Sequence, residues 1–131
     1  MKQNQKSLTS ALWIVQVLLS IGFIAGGAMK LFMPVNKLAA IWPWAAEVPV
    51  ALLKVIGFID VVAATGILVP SVFKIMPKLV FVTALCIIVL MVSAAIFHFY
   101  RGEAASTPVN FIFAFMAAFV AWGRYKRLGD L

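Results

Sequence analysis

Long apolar runs separated by short polar breaks organise the whole chain, and four of the runs are long enough to cross a bilayer. The first, Leu8 to Met29, has 22 residues, about 33 Å of helix against a hydrocarbon core of about 30 Å. Pro34 stops it. A second run starts near Val48 and Pro49 and continues to Val69, before Pro70. A third follows the polar turn of Lys74, Pro77 and Lys78 and extends from Leu79 to Phe97. Thr107 and Pro108 look like an N-cap with proline in the first helical turn. They open a fourth run to about Tyr125, closed by Arg124, Lys126 and Arg127. The pattern predicts an all-α bundle of four transmembrane helices, one domain over 1–131, with spans near 8–32, 48–69, 79–99 and 108–125.

Between the first two spans, Asn36 to Glu47 is too short and too polar to cross. It contains Ile41, Trp42, Pro43 and Trp44, and tryptophans of this kind rest at headgroup level, so Trp42 and Trp44 are read as interfacial anchors.

Composition closes off the soluble alternative. Hydrophobic residues make up 65% of the chain and charged residues 11%, against about 45–50% and about 25% in soluble domains. Lys2 and Lys6 ahead of the first run, with Gly26, Gly27 and Ala28 at its end, imitate a secretory signal. The run is longer than the 7–15 apolar residues of such a signal, and an uncleaved span is expected.

The net charge of +7 does not indicate nucleic acid, because the basic residues sit in ones and twos at the ends of the apolar runs, where anionic lipid headgroups lie. Four spans bring both termini to one side. That side collects Lys2, Lys6, Lys74, Lys78, Arg124, Lys126 and Arg127, and the excess of Lys and Arg marks it as cytoplasmic. The expected location is a bacterial cytoplasmic membrane, with N-in, C-in topology.

Without a hydrophobic force between helices in lipid, close packing relies on small residues and on polar groups that bond across the interface. Gly22 and Gly26 form such a step in the first helix, with Lys30 on the same face and Gln16 about 40° away. Gly57, Asp60 and Ala64 repeat the spacing in the second helix, and Asn110, Ala114, Ala117 and Ala121 in the fourth. These faces are expected to point inward.

Asp60 is the residue that most needs an explanation. An ionisable group at mid-bilayer costs at least about 2.5–3.5 kcal/mol on insertion scales and persists when it faces the interior and is paired. Asp60 is too deep and too short to reach a surface, whereas Lys54 is long enough to extend outward. Lys30, His98 and Asn110 end or open their helices on the side opposite the termini. Gln16, Lys30, Lys54, Asp60, His98 and Asn110 therefore form a candidate polar cluster. It is either a satisfied structural plug, with Asp60 bonded to Lys30 or Lys54, or a small pocket able to hold a ligand headgroup or a proton.

Several chemistries are excluded. Cys86 is the only cysteine, which removes a disulfide, a redox pair and a thiolate metal site within one chain; it is expected to be a buried packing residue. One histidine does not make a metal site. Ser93 lies about 140° round the helix from His98, so no catalytic triad forms, and no catalytic residue is assigned.

With these residues placed, the chain resembles the DoxX-like family of small four-helix membrane proteins. The resemblance rests on Gly26 to Phe32, on Ile56 to Asp60 and Ala64 to Pro70, on Phe97-His98 with Arg101 to Glu103, and on Asn110 and Trp122 to Arg124. A glutamate is expected where this chain has Asp60, which keeps the charge on a shorter stem. The resemblance implies a four-helix bundle. It places the chain near a membrane subunit of thiosulfate:quinone oxidoreduction and near a vertebrate factor that assists acetylcholine-receptor assembly.

Three functions follow, in this order. The first is a redox-associated or quinone-like small-molecule binding subunit, with Asp60 and His98 as proton partners and Lys30 as electrostatic anchor. Whether it is an enzyme is left open, with autonomous activity not expected: no haem or iron–sulfur ligand set is present, and electrons would have to come from another protein. The second is an assembly partner of other membrane proteins, or a homo-oligomer, that uses the small-residue faces and the Trp42–Trp44 segment. The third is a small proton-coupled transporter, for which four spans are few and no inverted repeat is visible. No cofactor can be named from the residues.

Overall fold

The structure is a computed structural model that describes residues 2–128, with side chains from Gln5 onward. The side chain of Lys2, counted above among the basic residues, lies outside the described part. The chain forms α1 (Lys2–Phe32), α2 (Val35–Ile41), a 3-10 turn (Pro43–Ala46), α3 (Val50–Val72), α4 (Pro77–Tyr100), a second 3-10 turn (Ala104–Ser106) and α5 (Thr107–Leu128). No strand occurs among the described residues. The helices α1, α3, α4 and α5 are the four long enough and apolar enough to span a membrane, and α2 with its 3-10 turn is the short connecting segment that the tryptophans predict.

Each boundary has a local cause. Pro34 and Pro49, with φ near −58° and ψ near 140°, precede α2 and α3 as extended residues, their φ fixed by their own rings. Pro49 thus stands just outside α3 rather than within its first turn. Pro70 does not end α3, which runs two residues further. The chain turns at Lys74 and Met76, both with positive φ, and Pro77 takes the first position of α4, where its missing N–H is no loss. At the other end of α4, Gly102 has φ +74°. Around it Glu103 N–H donates to the His98 carbonyl at 2.8 Å and Gly102 N–H to the Phe99 carbonyl at 3.1 Å, the paired closure of a helix on a left-handed glycine. Thr107 begins α5, but its buried hydroxyl donates back to the Ala104 carbonyl at 2.6 Å instead of capping the helix.

The helix α1 packs along α3 and α4 along α5. These pairs join where α3 meets α4 and α1 meets α5, closing a four-helix ring. Its interior holds Leu19, Ala64, Ile67, Val80, Ala84, Ile87, Ala117 and Val120. A smaller cluster of Leu38, Ala45 and Leu53 seats α2 on α3.

Large apolar side chains cover the outer surface as well as the interior, and small residues sit at the close helix contacts. Val89 is 66% exposed and Phe115 74%, whereas Gly27, Gly57 and Gly123 are buried. That arrangement is inverted for water and suits a bundle whose outer surface is covered by lipid tails.

The close contacts correct one expectation. A Cβ on Gly27 would lie 2.8 Å from the Gly57 carbonyl oxygen, and a Cβ on Gly57 would lie 3.0 Å from that of Gly27. The tight crossing of α1 and α3 is therefore made by Gly27. At Gly26 the nearest atom is Lys30 Nζ, at the ordinary contact distance of 3.8 Å. Gly22 lies against the Phe113 ring of α5. Ala64, Ala117 and Ala121 are buried as expected, and Ala114 is half-buried. Cys86, expected in the core, lies on the exposed face of α4, where its thiol is apolar enough for a lipid-facing position.

Candidate functional site

The polar residues separate into two groups at opposite ends of the ring. The first is built on Asp60, which α3 carries ten residues in from its start, about 15 Å along the axis. The Gly27–Gly57 crossing brings α1 close enough for Lys30 to reach it. Lys30 Nζ donates to Asp60 Oδ2 at 2.6 Å, with the side chains 14% and 5% exposed. Of the two partners open to Asp60 from the sequence, Lys30 is the one it has. Lys54 turns away and donates to the carbonyl of Leu31, one of the unsatisfied carbonyls at the end of α1, where a cation is also favoured by the helix dipole.

A line of contacts continues from this pair. Lys30 Nζ lies 5.1 Å from the ring centre of Trp42, within cation–π range. Trp42 stacks on Trp44 at 6.3 Å, and Trp44 meets Phe97 edge-on at 6.0 Å and His98 at 6.4 Å. His98 Nδ1 is 3.4 Å from Glu103 Oε1, and Arg101 Nε donates to that same oxygen at 2.5 Å. Arg101 also pairs with Glu47, from the loop before α3.

Trp42 and Trp44 are thus more than surface anchors. They form the aromatic bridge between the Lys30–Asp60 pair and His98. Nothing in their spacing along the chain shows this, because the bridge depends on how α2 folds back over the end of the bundle.

Electrostatics at this rim is one-sided. The hydrogen bonds that Arg101 donates to Glu47 and then to Glu103 raise its pKa above the ordinary value. The Arg101 hydrogen bond is the main cause that lowers the Glu103 carboxyl, with a smaller contribution from His98. Arg101 stays charged and Glu103 stays ionised, so the rim keeps His98 beside a fixed carboxylate.

Asn110 does not join this line. It stands in the first turn of α5 with its Nδ2 buried and without a hydrogen-bond partner.

The second group contains Gln16, which is fully buried and lies 14 residues before Lys30, about 21 Å along α1. Its Nε2 donates to the Ile67 carbonyl at 2.6 Å and to Ser71 Oγ at 3.0 Å, and its Oε1 accepts from Arg124 Nε at 2.7 Å. Ser20, one turn further, donates to the Ala64 carbonyl at 3.0 Å. These bonds fasten α1 to α3 and α5. Gln16 therefore belongs with Ser71 and Arg124, two residues the candidate cluster did not include. Along the chain Arg124 is one of the charges that close the fourth helix, and nothing in its neighbourhood there indicates an inward hydrogen bond.

The sequence pattern of the DoxX-like family matches residues 14–120, from α1 through most of α5. No curated protein and no solved structure matches the chain.

Proposed function

The chain belongs to the DoxX-like family, and from that premise and the polar end of its bundle we propose that it is a small-molecule-binding, redox-associated membrane subunit. Its ligand is a flat, quinone-like ring with oxygen acceptors. The observation that carries this reading is the unbroken line from the buried Lys30–Asp60 pair through Trp42 and Trp44 to His98. Flat aromatic walls suit a ring, an ammonium suits a ring oxygen, and a carboxylate with a histidine can take and return protons. Electrons come from a partner protein. In this reading the end that carries Lys6, Lys74, Lys78, Arg124, Lys126 and Arg127 faces the cytoplasm, and the ligand end faces away from it.

A second reading is favoured by the pairing itself. Lys30 and Asp60 satisfy one another, so the cluster can serve as a polar plug that fixes the bundle. The protein then works as an assembly partner for another membrane protein.

One experiment separates the two. The protein is purified gently from its own membrane and examined by native mass spectrometry, beside Asp60→Asn and the charge-neutral pair Lys30→Gln/Asp60→Asn. A retained small molecule that is lost from folded variants supports the binding site. A chain free of small molecules but bound to a second membrane protein, in the native form and the variants alike, overturns it in favour of the assembly role.

A further inference from the structure

The end that carries both termini has a surface feature that the proposed ligand site leaves unused. Gln5, Lys6, Thr9 and Ser10 of α1 line a shallow open depression together with Arg127 of α5. Directly further along α1, Trp13, Ile14, Val17 and Leu18 line a second, apolar depression. At 100° per residue Lys6, Ser10, Trp13 and Val17 fall within about 60° of one another, so the two depressions form one strip. From Lys6 to Leu18 the strip is about 18 Å long, against about 15 Å for half of a hydrocarbon core.

Its charge has no acidic partner among the described residues. Arg127 spends one N–H on the Gln5 carbonyl at 2.6 Å. Arg124 lies over the Trp13 ring at 6.0 Å, where the polar and apolar parts meet, and its Nη2 is buried without a hydrogen-bond partner. Every acidic side chain among the described residues, Glu47, Asp60 and Glu103, belongs to the middle or the opposite end of the bundle.

We infer that this strip is a binding site for one anionic phospholipid, with the phosphate between Lys6 and Arg127 and one acyl chain along Trp13, Val17 and Leu18. The order of chemistry along α1, cationic and hydroxylic, then aromatic, then aliphatic, is the order along a lipid entering one leaflet. Charge at this depth selects anionic over zwitterionic headgroups. The bound lipid supplies a counter-charge that no described side chain at this end provides.

The test is native mass spectrometry of the full chain in a neutral detergent, with phosphatidylglycerol and phosphatidylcholine of identical acyl chains offered in equal amounts. The site predicts one retained phosphatidylglycerol in preference to phosphatidylcholine. Lys6→Gln/Arg127→Gln weakens that retention about 30-fold, and exposed Lys6→Gln alone about fivefold, should the double variant unfold. Lys74→Gln/Lys78→Gln removes the same charge from the same end but away from the strip, and leaves retention within about twofold. Equal retention of the two lipids overturns the inference, and so does equal weakening by the two charge-removing pairs. Displacement of the lipid by an equal concentration of soluble glycerol phosphate would also overturn it, since that identifies a phosphate site and no lipid site.

Discussion

Lys30 Nζ stands 2.6 Å from Asp60 Oδ2, across a helix crossing at which Gly27 and Gly57 approach too closely to accept a methyl group. The two facts are linked. A side chain at position 57 would meet the Cβ of Lys30 at 2.9 Å, so the missing side chain is what lets Lys30 lie against α3 and reach the carboxylate.

The pair should behave as a unit. Replacing only Lys30 by Met leaves a buried carboxylate unpaired and should cost about 3–5 kcal/mol, while Lys30→Met/Asp60→Leu should recover most of that loss. Thermal unfolding in detergent, followed by circular dichroism, reads both. Equal destabilisation by the single and double changes would mean that the charges do not couple.

The glycine crossing gives a sharper contrast. Gly27→Ala and Gly57→Ala force backbone atoms apart and should each cost about 1–3 kcal/mol. Gly26→Ala, whose Cβ meets only the end of Lys30, should be close to neutral or slightly stabilising. The same melts decide it; a costly Gly26→Ala would move the crossing point by one residue.

The rim should make stability depend on pH in acid. The Glu103 carboxyl is held below its ordinary value of 4.5, chiefly by its hydrogen bond from Arg101. Its contribution is therefore fully present above about pH 4.5 and is lost as the pH falls through its lower folded value. Melting temperatures recorded from pH 7 down to pH 3 should fall less steeply for Glu103→Gln than for the native chain. Parallel profiles would remove the ion pair from the account.

At the opposite end, Gln16→Leu keeps the volume but leaves Arg124 Nε without a partner and removes the bonds to the Ile67 carbonyl and Ser71 Oγ. A loss of about 1–3 kcal/mol is expected. Loss of the Gln16 bonds should also loosen α5 from α1, read as faster hydrogen exchange of the last turns of α5. A neutral substitution would show that water or lipid replaces the glutamine.

The spans were legible because each depends on a run of consecutive residues, and the membrane admits few answers to such a run. Asp60 was legible for the same reason: a carboxylate at mid-depth must be inside and paired. Its partner was not, since both Lys30 and Lys54 have the reach. The choice turned on the glycine crossing and on a free carbonyl at Leu31, neither of which leaves a periodic trace. Gln16 groups with Lys30 in the sequence because a helical wheel keeps angle and discards height. It shares a face of α1 with Lys30 but stands about 21 Å away along the axis.

What the sequence determined alone is the set of four membrane-spanning helices, the segment between the first two, the DoxX-like family and the inward carboxylate. The family is identified by a resemblance that runs over all four helices; the rest follows from local composition or from spacing along one helix. The tertiary structure decided which cation neutralises Asp60, that Gly27 rather than Gly26 makes the close crossing, and that Trp42 and Trp44 bridge the ion pair to His98. It also separated the polar residues into two groups. Those outcomes are contacts between segments distant in the chain, and they depend on the relative height and rotation of packed helices, which only the simultaneous packing of all four determines.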